Sequence, residues 1–536
     1  MEGNDGWSRT SPDGWRALAL AAFGLFAMAV VGAAPRSPYQ PLLTPGDQPH
    51  GPLTAIATWL RLDRIPGNPV LFVGGIVLVI AVLGFLALLR ATFRGQVGLG
   101  AVAALVIGAH ALVLVLPLLF SRDVYSYAYY GRIEGVYGGN PYVQTPLDYP
   151  SDPLWKFVGS IWVSTRAVYG PAWSALSGGL STWLRARPAS QVDAYRMVAL
   201  VASLATCVVI VWTVRRLWPQ RTAFALAAFG ANPVVVFHSV ASGHNDLLLA
   251  LSIAGAFALV VSRREMPAVA LLTLGALIKA TAGLPLVLLL VWCIARRPRE
   301  ERWRVALTHV GLAAAITAVF AAPFFQWRDP TLGILELAGH SGWLSPSAVG
   351  SHLVDILTFH TLGWVVRIVA GAVLVLWIWR LSAAVWRRTT GTDVADAPVM
   401  SSREQAATWG WALMLLMLLG PVLLPWYVTW ALPLAWVLPK TARTTLLAVS
   451  SILGATLWST EAMRYPGAFT LNVFVGNWIA VPVILALLIA LIRDLGSRIE
   501  TGALFEDEIG LREPPPVAAK VEGEEPIAEP AGQGAG

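Results

Sequence analysis

The sequence predicts an all-α polytopic membrane protein, a bundle of about 13–14 transmembrane helices with helical outer loops. Three observations carry this. Of 536 residues, 56% are hydrophobic and 13% charged, against about 25% charged in a soluble protein, and the mean hydropathy is +0.63. Apolar runs recur at the roughly 20 residues a helix needs to cross a hydrocarbon core of about 30 Å. Arginine clusters between those runs fall on one side when the runs alternate in direction.

Residues 1–15 are polar and form a cytoplasmic amino terminus. The run at 16–34 has acidic residues upstream and is long enough to be an uncleaved anchor rather than a signal peptide. Further strong spans cover 68–89, 97–120, 196–214, 222–240, 245–261, 305–324, 361–380, 406–424 and 470–493, with weaker ones at 427–439 and 444–460. The stretch 267–295 is too long for one upright span and carries Arg263/Arg264 and Arg296/Arg297 at its two ends. Two short helices meeting near Lys279 satisfy both facts. Arg90/Arg94, Arg215/Arg216/Arg221, Arg263/Arg264, Arg296 to Arg304 and Arg387/Arg388 then share the cytoplasmic side, with both termini there. The transmembrane body is thus 16–495, with outer loops at about 121–195 and 325–360. Residues 496–536 form an acidic tail whose Pro, Glu, Ala and Gly content predicts disorder.

The net charge of +7 is uneven, because residues 500–536 alone carry −7. Basic residues at membrane edges fit anionic lipid, and no basic run interleaved with aromatics points to nucleic acid. Cys207 and Cys293 lie inside apolar runs. Two thiols supply neither a disulfide framework nor a four-ligand zinc site, and both read as small buried apolar residues. No Walker loop, no dinucleotide glycine fingerprint after a strand, no HExxH and no GxSxG elbow occurs.

The residues that suit chemistry gather on the outer side. SRDVYSYAYYGRIEGVYGGNPY (121–142) begins where the third span leaves the membrane. As an interfacial helix, it places Asp123, Tyr127, Tyr130 and Glu134 on one face. A carboxylate ringed by tyrosines suits a sugar, whose hydroxyls hydrogen-bond and whose C–H faces stack on rings. An interfacial aromatic belt also enriches Tyr and Trp, but a belt does not require an acid at the helix mouth. Arg122, Arg132, Lys156, Arg166, Arg185, Arg187 and Arg196 share this loop against the positive-inside bias. Bidentate arginine geometry suits phosphate, although a long loop is partly exempt from that bias.

In GHNDLLLAL (243–251), Asn245 or Asp246 either caps the following helix or, with His244, faces the same side as Asp123. Lys279, in GALIKATAGLP, sits at a membrane depth where a charge costs at least about 2.5–3.5 kcal/mol, so it needs a partner or a wet cavity. At a hairpin apex its ammonium meets a lipid phosphate. GPVLLPWYVTW (420–430) places Pro425, Trp426 and Tyr427 at an outer helix junction, as belt or substrate platform. His340, His352 and His360 lack metal-ligand spacing and read as solvated or hydrogen-bonding residues.

DVYSYAYYGR at 123–132, GGNPY at 138–142, YGPAW at 169–173, GHND at 243–246, IKA at 278–280 and PWYVTW at 425–430 occur in that order on one face. Together they resemble the actinobacterial polyprenol-phosphate-mannose-dependent α-1,6-mannosyltransferases, membrane glycosyltransferases of the GT-C type. The resemblance implies a GT-C-like bundle in the cytoplasmic membrane with its active site on the extracytoplasmic side. It implies transfer of mannose from polyprenyl-phosphate mannose to a lipid-anchored α-1,6-mannan acceptor, the growing backbone of lipomannan and lipoarabinomannan, with inversion at the anomeric carbon. It assigns Asp123 as catalytic base. Arg122, Arg132 and Lys279 become candidates for the donor phosphate, and Tyr127, Tyr130, Asn140, Tyr142, Tyr169, His244, Asn245, Asp246, Trp426 and Tyr427 for sugar or acceptor. No cofactor is required, since the phosphodiester donor leaves as an anion, though Asp246 is a carboxylate able to hold a divalent cation. The simplest GT-C plan puts the acidic loop after the first helix, whereas here it follows the third. A lipid-linked-sugar flippase and a GT-C transferase of another sugar or acceptor are the alternatives. The outer-side clustering of polar residues favours the enzyme.

Overall fold

The computed structural model describes residues 10–184, 187–327, 332–333, 344–390, 400–456 and 466–501. Arg185, His340, much of the loop expected at 325–360 and the acidic tail beyond 501 lie outside the described residues. The described chain is all-helical, with no extended strand among the described residues. It begins with α1 (Pro12–Gly32), α2 (Gly51–Trp59), α3 (Gly67–Phe93) and α4 (Leu99–Val113). The loop between α4 and α8, expected on the outer side and called the outer loop for that reason, holds α5 (Asp123–Gly135), α6 (Ser160–Val163) and α7 (Pro171–Trp183). Next come α8 (Pro188–Leu217), α9 (Thr222–Gly230), α10 (Asp246–Val261), α11 (Glu265–Ile278), α12 (Gly283–Ala295) and α13 (Arg302–Ala321). The remainder is α14 (Pro346–Leu357), α15 (Gly363–Thr390), α16 (Ser402–Leu419), α17 (Lys440–Ala455), α18 (Pro466–Phe474) and α19 (Val481–Thr501).

Among the described residues, six helices are long and apolar enough to cross a membrane: α1, α3, α8, α13, α15, and α19 with the π-helical turn before it. Shorter apolar helices are α4, α10, α11 and Ala280–Ala295. This is a multi-pass membrane protein. The charge-bounded stretch 267–295 folds as expected into α11 and α12, with Lys279 extended between them (φ −149°, ψ 123°). Two expected spans take another form. Residues 222–240 are α9 followed by a π-helix at Val234–Val240, bent by 40°. Pro233 lacks an N–H at the break, where the Asn232 amide donates to Ser450 Oγ at 2.9 Å and its oxygen accepts from Val234 N at 3.0 Å. Residues 427–439 form 3-10 turns at Pro425–Trp430 and Leu432–Leu434, because prolines at 425, 433 and 439 interrupt the α-helical bonding.

Close helix contacts use small residues, as membrane packing requires. A Cβ on Gly24 of α1 would collide with the Ala81 backbone of α3, and one on Gly84 of α3 would meet Ala21 Cα at 2.8 Å. Residues 35–67 are fastened to the body by Asp47. Its Oδ2 accepts from Leu118 N at 3.1 Å, and Oδ1 lies 3.5 Å from Arg196 Nη1. The same guanidinium donates to the carbonyls of Val113 and Leu116 at 3.0 and 2.5 Å, satisfying acceptors that the end of α4 leaves open.

Among the described residues there are two cores. The larger unites the transmembrane helices from α1 to α19. The smaller belongs to the outer loop and is built of rings, among them Tyr125, Tyr127, Tyr129, Tyr130, Tyr142, Tyr169, Trp173 and Tyr195. It seats α5 against α7. By contrast, α13 and α15 present Leu307, Val319, Ile368, Val375 and Trp379 outward, the surface expected of helices that face lipid.

Candidate functional site

Asp123 opens α5. Phe120, at φ 62°, turns the chain in the left-handed region that a bulky residue rarely adopts, and Ser121 Oγ accepts from Asp123 N at 3.1 Å. The turn brings the carboxylate out of α4's line and toward the loop before α10. That loop has its own backbone requirement. Gly243 sits at φ +71°, with Arg196 Cγ and Val124 Cγ2 at 3.3 and 3.4 Å from the position of a Cβ. It delivers His244 so that Nδ1 lies 3.9 Å from Asp123 Oδ2 and 3.1 Å from the Tyr127 hydroxyl.

His244 stacks on Trp426, with ring centroids 3.8 Å apart and planes 19° from parallel. Two residues on, Asp246 accepts at one oxygen from both Lys279 Nζ (2.7 Å) and Trp430 Nε1 (2.6 Å). The Lys279 ammonium also lies over the rings of Tyr427 and Trp430, at 4.5 and 5.1 Å, and those rings stack on each other at 4.2 Å. A carboxylate and two aromatic faces thus surround the ammonium in place of water. The hairpin tip is fixed from the outer loop, where Gly170 N donates to Ile278 O at 3.0 Å. Tyr169 thereby stands beside Tyr127, edge to face at 5.0 Å.

Asp123 lies in the outer loop, and its side chain keeps 19% of its surface exposed. Burial raises its pKa to about 6, with Lys279 opposing and Asp246 reinforcing the shift. Among the described residues, several buried polar atoms at the site have no hydrogen-bond partner: His244 Nε2, both amide atoms of Asn245, and Asp246 Oδ2. Such atoms are costly when left dry, and they mark where a polar ligand or water completes the site.

The structure therefore gathers Asp123, Tyr127, Tyr169, His244, Asn245, Asp246, Lys279, Trp426 and Tyr427 at one end of the bundle. Other expected residues are engaged elsewhere. Arg132, nine residues or about 13 Å along α5 from Asp123, is buried in an ion pair with Asp152 at 2.6 Å. Tyr130 donates to Thr165 O at 2.9 Å, Asn140 to Phe324 O at 2.9 Å, and Tyr142 to Tyr169 O at 2.6 Å. These bonds hold the outer loop over the site. Arg122 is the residue immediately before α5. Trp430 is the member sequence reasoning passed over. Its signal was its place three residues after Tyr427 in the same motif.

Fold and site define a multi-pass, all-helical membrane protein with an acid, a lysine and stacked aromatic rings at one end of its bundle. The sequence model described as alpha-(1->6)-mannopyranosyltransferase, N-terminal domain, matches residues 17–296, and the chain belongs to that family. It is 27% identical over 408 residues to alpha-(1->6)-mannopyranosyltransferase A of Mycobacterium tuberculosis, covering 70% of this chain and 72% of that one. The Corynebacterium glutamicum protein of the same name is 26% identical over 358 residues, 59% of this chain and 71% of the relative. A probable alpha-(1->6)-mannopyranosyltransferase of Mycolicibacterium smegmatis is 29% identical over 386 residues, 64% and 66% of the two chains.

Proposed function

We propose that this chain is an inverting membrane mannosyltransferase. It moves mannose from polyprenyl-phosphate mannose to the growing α-1,6-mannan backbone of lipomannan and lipoarabinomannan, on the extracytoplasmic side of the cytoplasmic membrane. The observation that carries the reading is the placement of Asp123, a partly exposed carboxylate with a raised pKa, beside His244 and within the electrostatic reach of Lys279. The names of the relatives supply the sugar and the linkage.

In this reading the acceptor's 6-hydroxyl oxygen attacks the anomeric carbon while Asp123 takes its proton. The bond from that carbon to the phosphate oxygen breaks, and polyprenyl phosphate leaves with the electron pair. Lys279, held in place by Asp246 and two rings, offsets the charge that develops there, with Arg122 as a second cation; preorganised charge of this kind stabilises a transition state without further rearrangement. Arg132 acts at a distance, keeping α5 fixed through Asp152. His244 and Trp426 form a stacked platform for a sugar face, and the unpartnered atoms of Asn245 and Asp246 are available to hydroxyl groups.

The deciding experiment is mannose transfer from radiolabelled polyprenyl-phosphate mannose to a short α-1,6-mannoside, with wild type and Asp123→Asn purified in parallel. The expected result is α-1,6-linked product from wild type and a loss of about 10²–10⁴-fold in the variant with donor binding retained. Equal rates would remove Asp123 from the chemistry. Absence of transfer by either, with donor bound, would overturn the enzymatic reading.

A further inference from the structure

At the opposite end of the bundle, three helices each bring one donor group to a common point. Glu265 opens α11, Cys293 lies near the end of α12 and His309 sits on α13. One ligand atom from each lies within 4.8 Å of the others. Glu265 precedes Lys279 by fourteen residues, about 20 Å of helix, so this cluster is separate from the site of transfer. We propose that Glu265, Cys293 and His309 form a three-ligand site for Zn²⁺, completed by water, that ties the α11–α12 hairpin to α13.

His309 supplies the main argument. It is the one buried residue of α13 among the described residues, on a helix that otherwise faces outward. Its Nδ1 lies 2.9 Å from the Val305 carbonyl and 3.2 Å from the Thr308 hydroxyl; in the neutral ring that donates from Nδ1 to the carbonyl, the lone pair is on Nε2. That Nε2 is buried, has no hydrogen-bond partner, and lies 3.8 Å from Glu265 Oε2. Two electron-rich atoms face each other across that gap, an arrangement that a cation between them makes favourable. A ring N–H to a backbone carbonyl is also the outer bond that orients metal-binding imidazoles.

The other two donors fit the same ion. Cys293 is fully buried and offers sulfur, which with imidazole favours zinc over magnesium or calcium. Glu265 is aimed by Arg296 at 2.9 Å and Arg297 at 3.2 Å, the second kind of outer support such sites use. With Zn–S near 2.3 Å and Zn–N near 2.0–2.1 Å, donors around one zinc stand about 3.3–3.8 Å apart. The cluster therefore has to draw in by about 1 Å, a movement side chains make without shifting helices. Binding replaces the Cys293 thiol proton with the metal and releases that proton to solvent.

The test uses full-length protein purified through a tag without histidine, stripped with chelator and then titrated with Zn²⁺ or Co²⁺ alone. Wild type is expected to retain one zinc per chain and to show a sulfur-to-cobalt absorption band. Cys293→Ser should lose that band, and both Cys293→Ser and His309→Gln should bind zinc at least about tenfold more weakly. Thermal unfolding of all three proteins in chelator verifies that the variants are folded. Zinc retained equally by wild type and Cys293→Ser, or no stoichiometric zinc in wild type, would overturn the proposal. The second result would leave the cluster as a contact of His309 with Glu265 that needs no metal.

Discussion

At the scale of single residues, the most informative quantity is the raised pKa of Asp123. A general base works in its ionised form, so transfer should rise with pH through about 6 and fall away below it, in a pH–rate profile of kcat/KM. The same shift has a consequence for stability, with the opposite sign from a paired carboxylate. Above the unfolded value near 3.9 the unfolded chain gives up this proton more readily than the folded one. Asp123 therefore costs stability as pH rises from about 4 to about 6. Asp123→Asn should unfold at the same temperature as wild type or higher while losing transfer, which separates a working acid from a structural one. Lys279 and Asp246 make a contrasting pair. Removing one partner of a buried ion pair typically costs about 3–5 kcal/mol, so Lys279→Met alone should lower the unfolding temperature. Lys279→Met with Asp246→Asn should recover much of it, and a double-mutant cycle measures the coupling. Transfer should stay low in both. The sequence revealed Lys279 because a lone charge in an apolar run is conspicuous. It could not reveal Asp246 and Trp430 as its partners, since those contacts join residues 33 and 151 positions away.

At the scale of elements, α5 was legible and its surroundings were not. A helix with Asp123, Tyr127, Tyr130 and Glu134 at helical spacing is what forms, but its residues divide their work. Asp123 and Tyr127 reach His244, whereas Tyr130 bonds the Thr165 carbonyl and Glu134 packs against Gly178 of α7. The seam between α5 and α7 leaves no space for a methyl group: a Cβ on Gly131 would strike the Ser177 carbonyl, and one on Gly135 would strike that of Gly178. Gly131→Ala should therefore cost about 1–3 kcal/mol by overpacking and displace Asp123 from His244, seen as a lower unfolding temperature together with a reduced kcat. The α11–α12 hairpin was readable because charge clusters bounded it on both sides. The break at Asn232–Pro233 was not, because hydropathy runs straight through it and the bond that accommodates it comes from Ser450.

At the scale of the whole molecule, the amino-terminal helices are part of the site's foundation. Arg196 at the start of α8 binds Asp47 and the last carbonyls of α4 at once. The chain thus leaves α4 for Asp123 from a fixed point. Arg196→Met strands a buried carboxylate and two carbonyls, and should cost about 3–5 kcal/mol. Hydrogen exchange is the measurement that locates the damage. Amides of residues 114–122 should lose protection while those of α15 keep theirs. The bundle itself was evident from composition and charge. The seating of residues 35–67 was not, because nothing in a proline-rich polar segment says which arginine it will meet.

The hydrogen bond from Trp430 to Asp246 joins positions on either side of residue 296, where the family match ends. The matched half contains the acid, the histidine and the lysine, yet the indoles that stack on the histidine and hold the carboxylate come from beyond it. The end of the family match therefore does not divide the cluster, and the similarity to the Mycobacterium tuberculosis relative, over 408 residues, runs past it. A change at 246 should restrict which residues 430 can tolerate, seen as non-additive stability losses in a double-mutant cycle. Recombination between relatives at this point would yield chimaeras in which each parental half is intact and the contacts between positions 246 and 430 are mismatched.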